Sequence, residues 1–268
     1  WNTSKVNDMS YMFHGASNFS GDVSDFDTSE VINMEGMFAY CQKFDRTLTS
    51  TWNTSNVSNM SAMFMGSKTS SSEKGVEFKW DTSKVKTMER MFKDSDFNGN
   101  LSNWKVGNCH YFSEMFNNAE FFQGDGLDTW DFKDPRTGTM TRAMLRARDR
   151  EAWHICYKMF AGATRFNADI SKWKTENILN MEQMFSDATS FSCDLDEWNV
   201  SNVQNIDFLF HNAYSFKGSL DGWVFENLHG HGYWYGTDYS TFNEGAPYLG
   251  NYSIETSTKM VKNKKRKN

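Results

Sequence analysis

The chain has 268 residues, a net charge of −6 and only 38% hydrophobic residues, a deficit offset by large side chains: 23 Phe, 16 Met, 10 Trp and 10 Tyr. Each aromatic can bury roughly 150–250 Å². The acidic balance gives no general attraction to nucleic acid or an anionic membrane, two prolines argue against a disordered low-complexity chain, and no apolar run approaches the roughly 20 residues that span a bilayer.

Aligned on its tryptophans, the sequence repeats. The units run Trp1–Asp25, Phe26–Thr51, Trp52–Lys79, Trp80–Asn103, Trp104–Thr129, Trp130–Lys172, Trp173–Glu197 and Trp198–Gly222, with a ninth start at Trp223 that soon departs from the pattern. In the first unit Val6, Met9, Met12, Phe13, Ala16 and Phe19 recur at steps that predict one face of an α- or 3₁₀-helix. Ser4, Ser29, Ser55, Ser83 and Ser201 stand where an N-cap hydroxyl would. The column Ala16, Cys41, Ala119, Ala163, Ala188 and Ala213 marks a site for small side chains between coils. Later in the unit, Asp22-Val23-Ser24, Asn100-Leu101-Ser102, Asp169-Ile170-Ser171 and Asp194-Leu195-Asp196 alternate as a half-buried strand does.

One strand and one short helix cannot fold alone, so the units must stack and share a core. The expected fold class is therefore an α/β repeat solenoid of about eight coils, pairing short parallel strands and short helices. Its core is expected from Trp1, Met9, Met12, Phe13, Phe19, Trp52, Met63, Phe64, Trp80, Met91, Phe92, Trp173, Met184, Phe185, Phe191, Trp198, Phe210 and Phe216. Residues 1–222 form the repeat region, 223–258 a Gly- and Tyr-rich capping segment, and 259–268 a basic tail expected to be disordered. The chain opens inside a repeat, from which a preceding segment is expected; no signal peptide is visible.

Two excursions interrupt the period. Ser67 to Gly75 is a Ser/Thr/Lys-rich loop, and an insertion at about 133–153 contains MTRAMLRARDR. There Arg142, Arg146 and Arg150 follow helical spacing and form a basic stripe, read either as a solvated face or as an interaction insert.

Cys41, Cys109, Cys156 and Cys193 match no zinc spacing and read as buried thiols, although Cys109 and Cys156 lie in adjacent repeats and a bridge between them is conceivable. His229 and His231 with Asp238 are a weak metal signal, and no metal or cofactor is expected. Of eight N-x-S/T sequons, those at Asn2, Asn18, Asn53, Asn100, Asn199 and Asn251 are kept as glycosylation candidates; Asn56 and Asn59 are expected at a helix start. The row Thr3, Thr28, Thr54, Thr82 and Thr175 offers a further reading, a flat surface binding a regular lattice.

The unit W-[ND]-[TV]-S-x-V-x-x-M-x-x-M-F-x-x-A-x-x-F, clearest at Trp52–Phe64, Trp80–Phe92 and Trp198–Phe216, resembles the BspA-like surface-protein repeat. That resemblance implies a leucine-rich-repeat-like stack, a surface or extracellular location, and protein or glycan binding or adhesion. It carries no catalytic residues. The expected function is a non-enzymatic scaffold whose partners are proteins, glycans or copies of itself; the alternative is a structural subunit of a filament, coat or larger assembly.

Overall fold

A computed structural model describes residues 1–68, 76–132, 154–228 and 243–249, and the backbone of Tyr252–Ile254 and Met260–Lys262. Successive repeats lie side by side and hydrogen-bond to one another. Phe13 N donates to Met37 O, and the same bond recurs from Phe38, Phe64, Phe92, Phe116, Phe160 and Phe185 to the repeat that follows each, every time at 2.9 Å. A column of parallel bridges runs beside it, Asp8 to Asn33 to Asn59 to Thr87 to Tyr111 to Ile155. Strand β1 (His154–Ile155) pairs in parallel with β2 (Ile178–Asn180).

The expected α/β, leucine-rich-repeat-like architecture does not form. Among the described residues there is no α-helix; the helical segments are two 3₁₀ turns, Arg46–Thr49 and Leu127–Thr129, and β1–β2 is the one parallel sheet. The run read as a helix is a chain of β-turns. In the first coil Met12 N returns to Met9 O, His14 N to Tyr11 O and Ala16 N to Phe13 O, all three residues back instead of four. The alternate N–H groups, of Met9, Tyr11, Phe13 and Gly15, leave for the next repeat. Two positions per coil have positive φ: Tyr11 (55°) and Gly15 (71°) here, Ala62 (53°) and Gly66 (63°) in the third coil. A left-handed residue at the third place of a turn closed by an i→i+3 bond is type II geometry and cannot continue a right-handed helix. Apolar steps of three and four fit this turn chain as well as a helix, and about eight residues are too few for a helix to stand alone.

The strand expected around Asp22–Ser24 is also a turn, with Phe26 N bonded to Val23 O. The serine column does not cap helices. Ser4, Ser29, Ser55, Ser83 and Ser201 donate backbone N–H to the Asn or Asp side chain two residues earlier, so the Asx residue makes the turn. The threonine row is no surface lattice. Thr28, Thr54, Thr82 and Thr175 are buried, and each hydroxyl donates to a carbonyl of the next repeat at 2.9–3.1 Å.

Inside run the aromatic columns. Phe13, Phe38, Phe64, Phe92, Phe116, Phe160, Phe185 and Phe210 stack with centroids 5.3–5.8 Å apart. Seven tryptophans, from Trp52 to Trp223, each donate the indole N–H to a carbonyl near the end of the unit two before their own, which satisfies the polar edge of a buried ring. Every residue of the expected core outside the first coil is buried, and within that coil Met9 is buried as well. There Trp1 is 85% and Met12 37% exposed, and Phe13 and Phe19 are only partly buried.

A buried cation was not foreseen. Arg46 donates to the Ser67 carbonyl and hydroxyl and pairs with Asp96 at 2.6 Å, tying three consecutive repeats together. The four cysteines are buried free thiols, so the conceivable Cys109–Cys156 bridge is not formed. Burial pushes Cys41 and Cys193 up to about 11, and Cys109 and Cys156 further.

The repeat pattern extends beyond residue 222. Trp223 and Phe225 are buried in the core, Asn212 N donates to Glu244 O, and Ala246 and Leu249 are buried where Ala213 and Phe216 stand one repeat earlier. Residues 243–249 thus supply the second half of a ninth coil, within the segment expected only to cap the stack. Part of the expected disordered tail is ordered: β4 (Met260–Lys262) pairs antiparallel with β3 (Tyr252–Ile254).

Candidate functional site

The turn chains align along one face, and their left-handed positions decide its chemistry. The second of these positions holds, in successive coils, Gly15, Tyr40, Gly66, Asp94, Asn118, Gly162, Asp187, Asn212 and Gly245. Glycine, Asn and Asp adopt positive φ at least cost. The column is a ladder twice over: Asn118 Nδ2 donates to Asp94 and Asn212 Nδ2 to Asp187, both at 2.9 Å. A Cβ on Gly162 or Gly245 would lie 2.2 or 2.3 Å from the Oδ1 of Asn118 or Asn212, so each Asn requires a glycine after it. The threonine column shows the same period, Thr82, Val106, Phe132 and then Thr175, Val200, Phe225. Over the last six coils a three-coil unit is therefore laid on the single-coil repeat; the first three, with Thr3, Thr28 and Thr54, do not follow it.

The aromatic end of this face departs from that economy. Tyr11 and Tyr40 occupy left-handed positions at φ 55° and 61°, and remain 52% and 45% exposed. Each ring rests on a glycine of the following coil; a Cβ on Gly36 or Gly66 would come within 2.6 Å of it. His14 stands edge-on to both, its centroid 5.7 Å from Tyr11 and 5.6 Å from Tyr40. The Tyr11 hydroxyl donates to Glu35, which raises the Tyr11 pKa, and Asn59 donates to the other Glu35 oxygen at 3.0 Å. Gln42 donates to the carbonyls of Tyr40 and Gly66.

Midway along the face is a charged group. Glu114 accepts from Arg90 Nε at 3.0 Å and from Lys93. Burial opposes its ionisation, but these two cations outweigh burial and hold the carboxyl below its usual value. Elsewhere the concavities are shallow. One of about 380 Å³ is lined by Trp104, Lys105, Asn108 and Asp131 among others, and one of about 460 Å³ by Asp125, Asp128, Arg165 and Asp169 among others. Among the described residues no group of His, Cys, Asp and Glu is placed to hold a metal ion.

Of the residues singled out by sequence, Asn2, Asn18, Asn53 and Asn199 are exposed. Asn100 is half-buried, with Oδ1 accepting from Ser102 N. Asn56 and Asn59 lie on no helix; their amides donate to Ser29 O and Glu35. Arg142, Arg146 and Arg150, with His229, His231, Asp238 and Asn251, lie outside the described residues. The Tyr11–His14–Tyr40 cluster was not anticipated. For Tyr40 the signal was available in sequence as Tyr at a position elsewhere held by Gly, Asn or Asp, but only the left-handed backbone makes that substitution notable.

A chain of stacked repeats with an internal aromatic ladder and a polar turn face defines a repeat protein. The family model described as "Mycoplasma protein of unknown function, DUF285" matches residues 1–76, 52–153 and 149–246, and the chain belongs to this family. Each match covers three to four coils. No curated protein and no solved structure matches the chain. Among the described residues no helix is long and apolar enough to cross a membrane.

Proposed function

We propose that this protein is a non-enzymatic repeat scaffold, extracellular or displayed on a cell surface, that binds other macromolecules in adhesion. The observation that carries this reading is the pairing of a backbone hydrogen-bonded from coil to coil with a turn face on which Tyr11 and Tyr40 stand about half exposed. The stack holds the face rigid, and rigid exposed aromatics bind at low entropic cost. The likeness of the Trp-to-Phe unit to BspA-like surface repeats favours the same location. Four accessible sequons are compatible with passage through a secretory route.

The test is whole-cell. Antibody labelling of intact native-source cells, before and after protease shaving, reads location, and the purified chain is applied to immobilised matrix proteins and glycans. Surface signal lost on shaving together with saturable binding is the expected result. Signal only in permeabilised cells overturns the surface assignment, and no binding to any immobilised macromolecule overturns the scaffold reading.

A further inference from the structure

We propose that Tyr11, His14 and Tyr40, with Glu35 and Gln42, form a binding platform for a neutral saccharide. This deepens the scaffold reading and rests on it for biological meaning, though not for its test.

The argument begins with cost. A left-handed backbone disfavours any side chain with a Cβ, and for bulky residues it is an outlier. The coil does not need an aromatic at Tyr40, because Gly15, Gly66, Asn118, Gly162 and Asp187 fill the same position in other repeats. Nor does it need one at Tyr11, whose equivalents include Gly36, Ala62, Arg90 and Gln183. Both rings accept strain and remain about half exposed, so neither is held there by burial. Tyr40 alone departs from Gly, Asn and Asp at its position among the described coils, and that departure points to function. The glycines beneath are matched to the rings, since Gly36 and Gly66 leave the space that a Cβ would deny them. The Tyr11–Glu35 hydrogen bond and the edge-on His14 fix the orientations.

The surroundings select the ligand. Asp8, Asn33 and Glu35 form a hydrogen-bonded row beside Tyr11, and Gln42 donates to the Tyr40 carbonyl. A pyranose has the complementary design: a small C–H face that stacks on an aromatic ring, rimmed by hydroxyls that hydrogen-bond to carboxylate, amide and imidazole. Within 8–15 and 33–40 there is no Lys or Arg, whereas Asp8 and Glu35 are acidic, which disfavours anionic sugars. The two tyrosines lie on adjacent coils with His14 between them, so the platform suits a short oligosaccharide better than a single sugar.

The experiment uses the full chain and neutral hexose oligosaccharides of differing linkage, titrated by calorimetry. Saturable binding to at least one of them is expected, weakened about tenfold or more by Tyr11→Ala or Tyr40→Ala and retained by Tyr40→Phe, which keeps the ring. Tyrosine nitration of the unmodified chain supplies a readout independent of variant folding: the bound sugar protects Tyr11 and Tyr40 but not the exposed Tyr214. Absence of saturable binding to every oligosaccharide overturns the proposal, as does binding that leaves Tyr11 and Tyr40 open to nitration. Inert sugars beside retained binding to immobilised proteins would overturn the ligand class and leave the scaffold reading standing.

Discussion

Two substitutions in the third coil separate a turn chain from a helix by the sign of their effect. Ala62 has φ 53° and Gly66 has φ 63°. In a helix, Ala62→Gly would cost about 1 kcal/mol and Gly66→Ala would gain about as much. In the turn chain both signs reverse. Ala62→Gly releases a left-handed penalty of about 1–2 kcal/mol and gives back about 0.4–1 kcal/mol through the freer unfolded chain, a net gain of up to about 1.6 kcal/mol. Gly66→Ala incurs the same penalty and places a Cβ 2.6 Å from the Tyr40 ring, for a loss of about 1–3 kcal/mol. Urea denaturation followed by tryptophan emission measures both. A destabilised Ala62→Gly variant beside a stabilised Gly66→Ala variant would refute the turn chain.

Two further outcomes follow from the ladders. Trp198→Phe removes the indole N–H bond to Ile170 O, 2.9 Å long, and part of a ring stacked between Trp173 and Trp223; a loss of about 2–3 kcal/mol is expected in the same assay, and a change under about 0.5 kcal/mol would show that the tryptophan column does not hold the stack. The serine hydroxyl and backbone bonds hold the carboxyls of Asp27 and Asp81 below the ordinary value of 3.8, so their contribution is present above that value and is lost as pH falls through the lower folded one. Asn2, Asn53 and Asn199 make the same turn without a charge, so Asp27→Asn with Asp81→Asn should fold normally and lose less stability between about pH 5 and pH 3 than the parent; an unchanged acid loss would refute this assignment.

The sequence alone determined the repeat, its approximate length and the identity of its core columns. Stacking demands that a ring such as Phe185 meet the same ring one coil away, and that demand is written as periodicity. Trp52, Phe64, Phe92 and Phe191 are buried where the spacing placed them. Only tertiary structure decided the backbone. Steps of three and four describe a helix and a chain of type II turns alike, and what separates them is the destination of alternate N–H groups. Tyr11 N and Phe13 N find carbonyls in the next coil, so the local helix loses to bonds that exist only once a neighbour is in place. For the same reason the candidate platform was hidden: Tyr11 and Tyr40 lie in different repeats of the sequence, and become conspicuous only when adjacent coils set both rings on glycine at positive φ. The second half of the ninth coil was obscured because residues 229–242 separate Leu228 from Asn243, and it is the bond from Asn212 N to Glu244 O that restores the register.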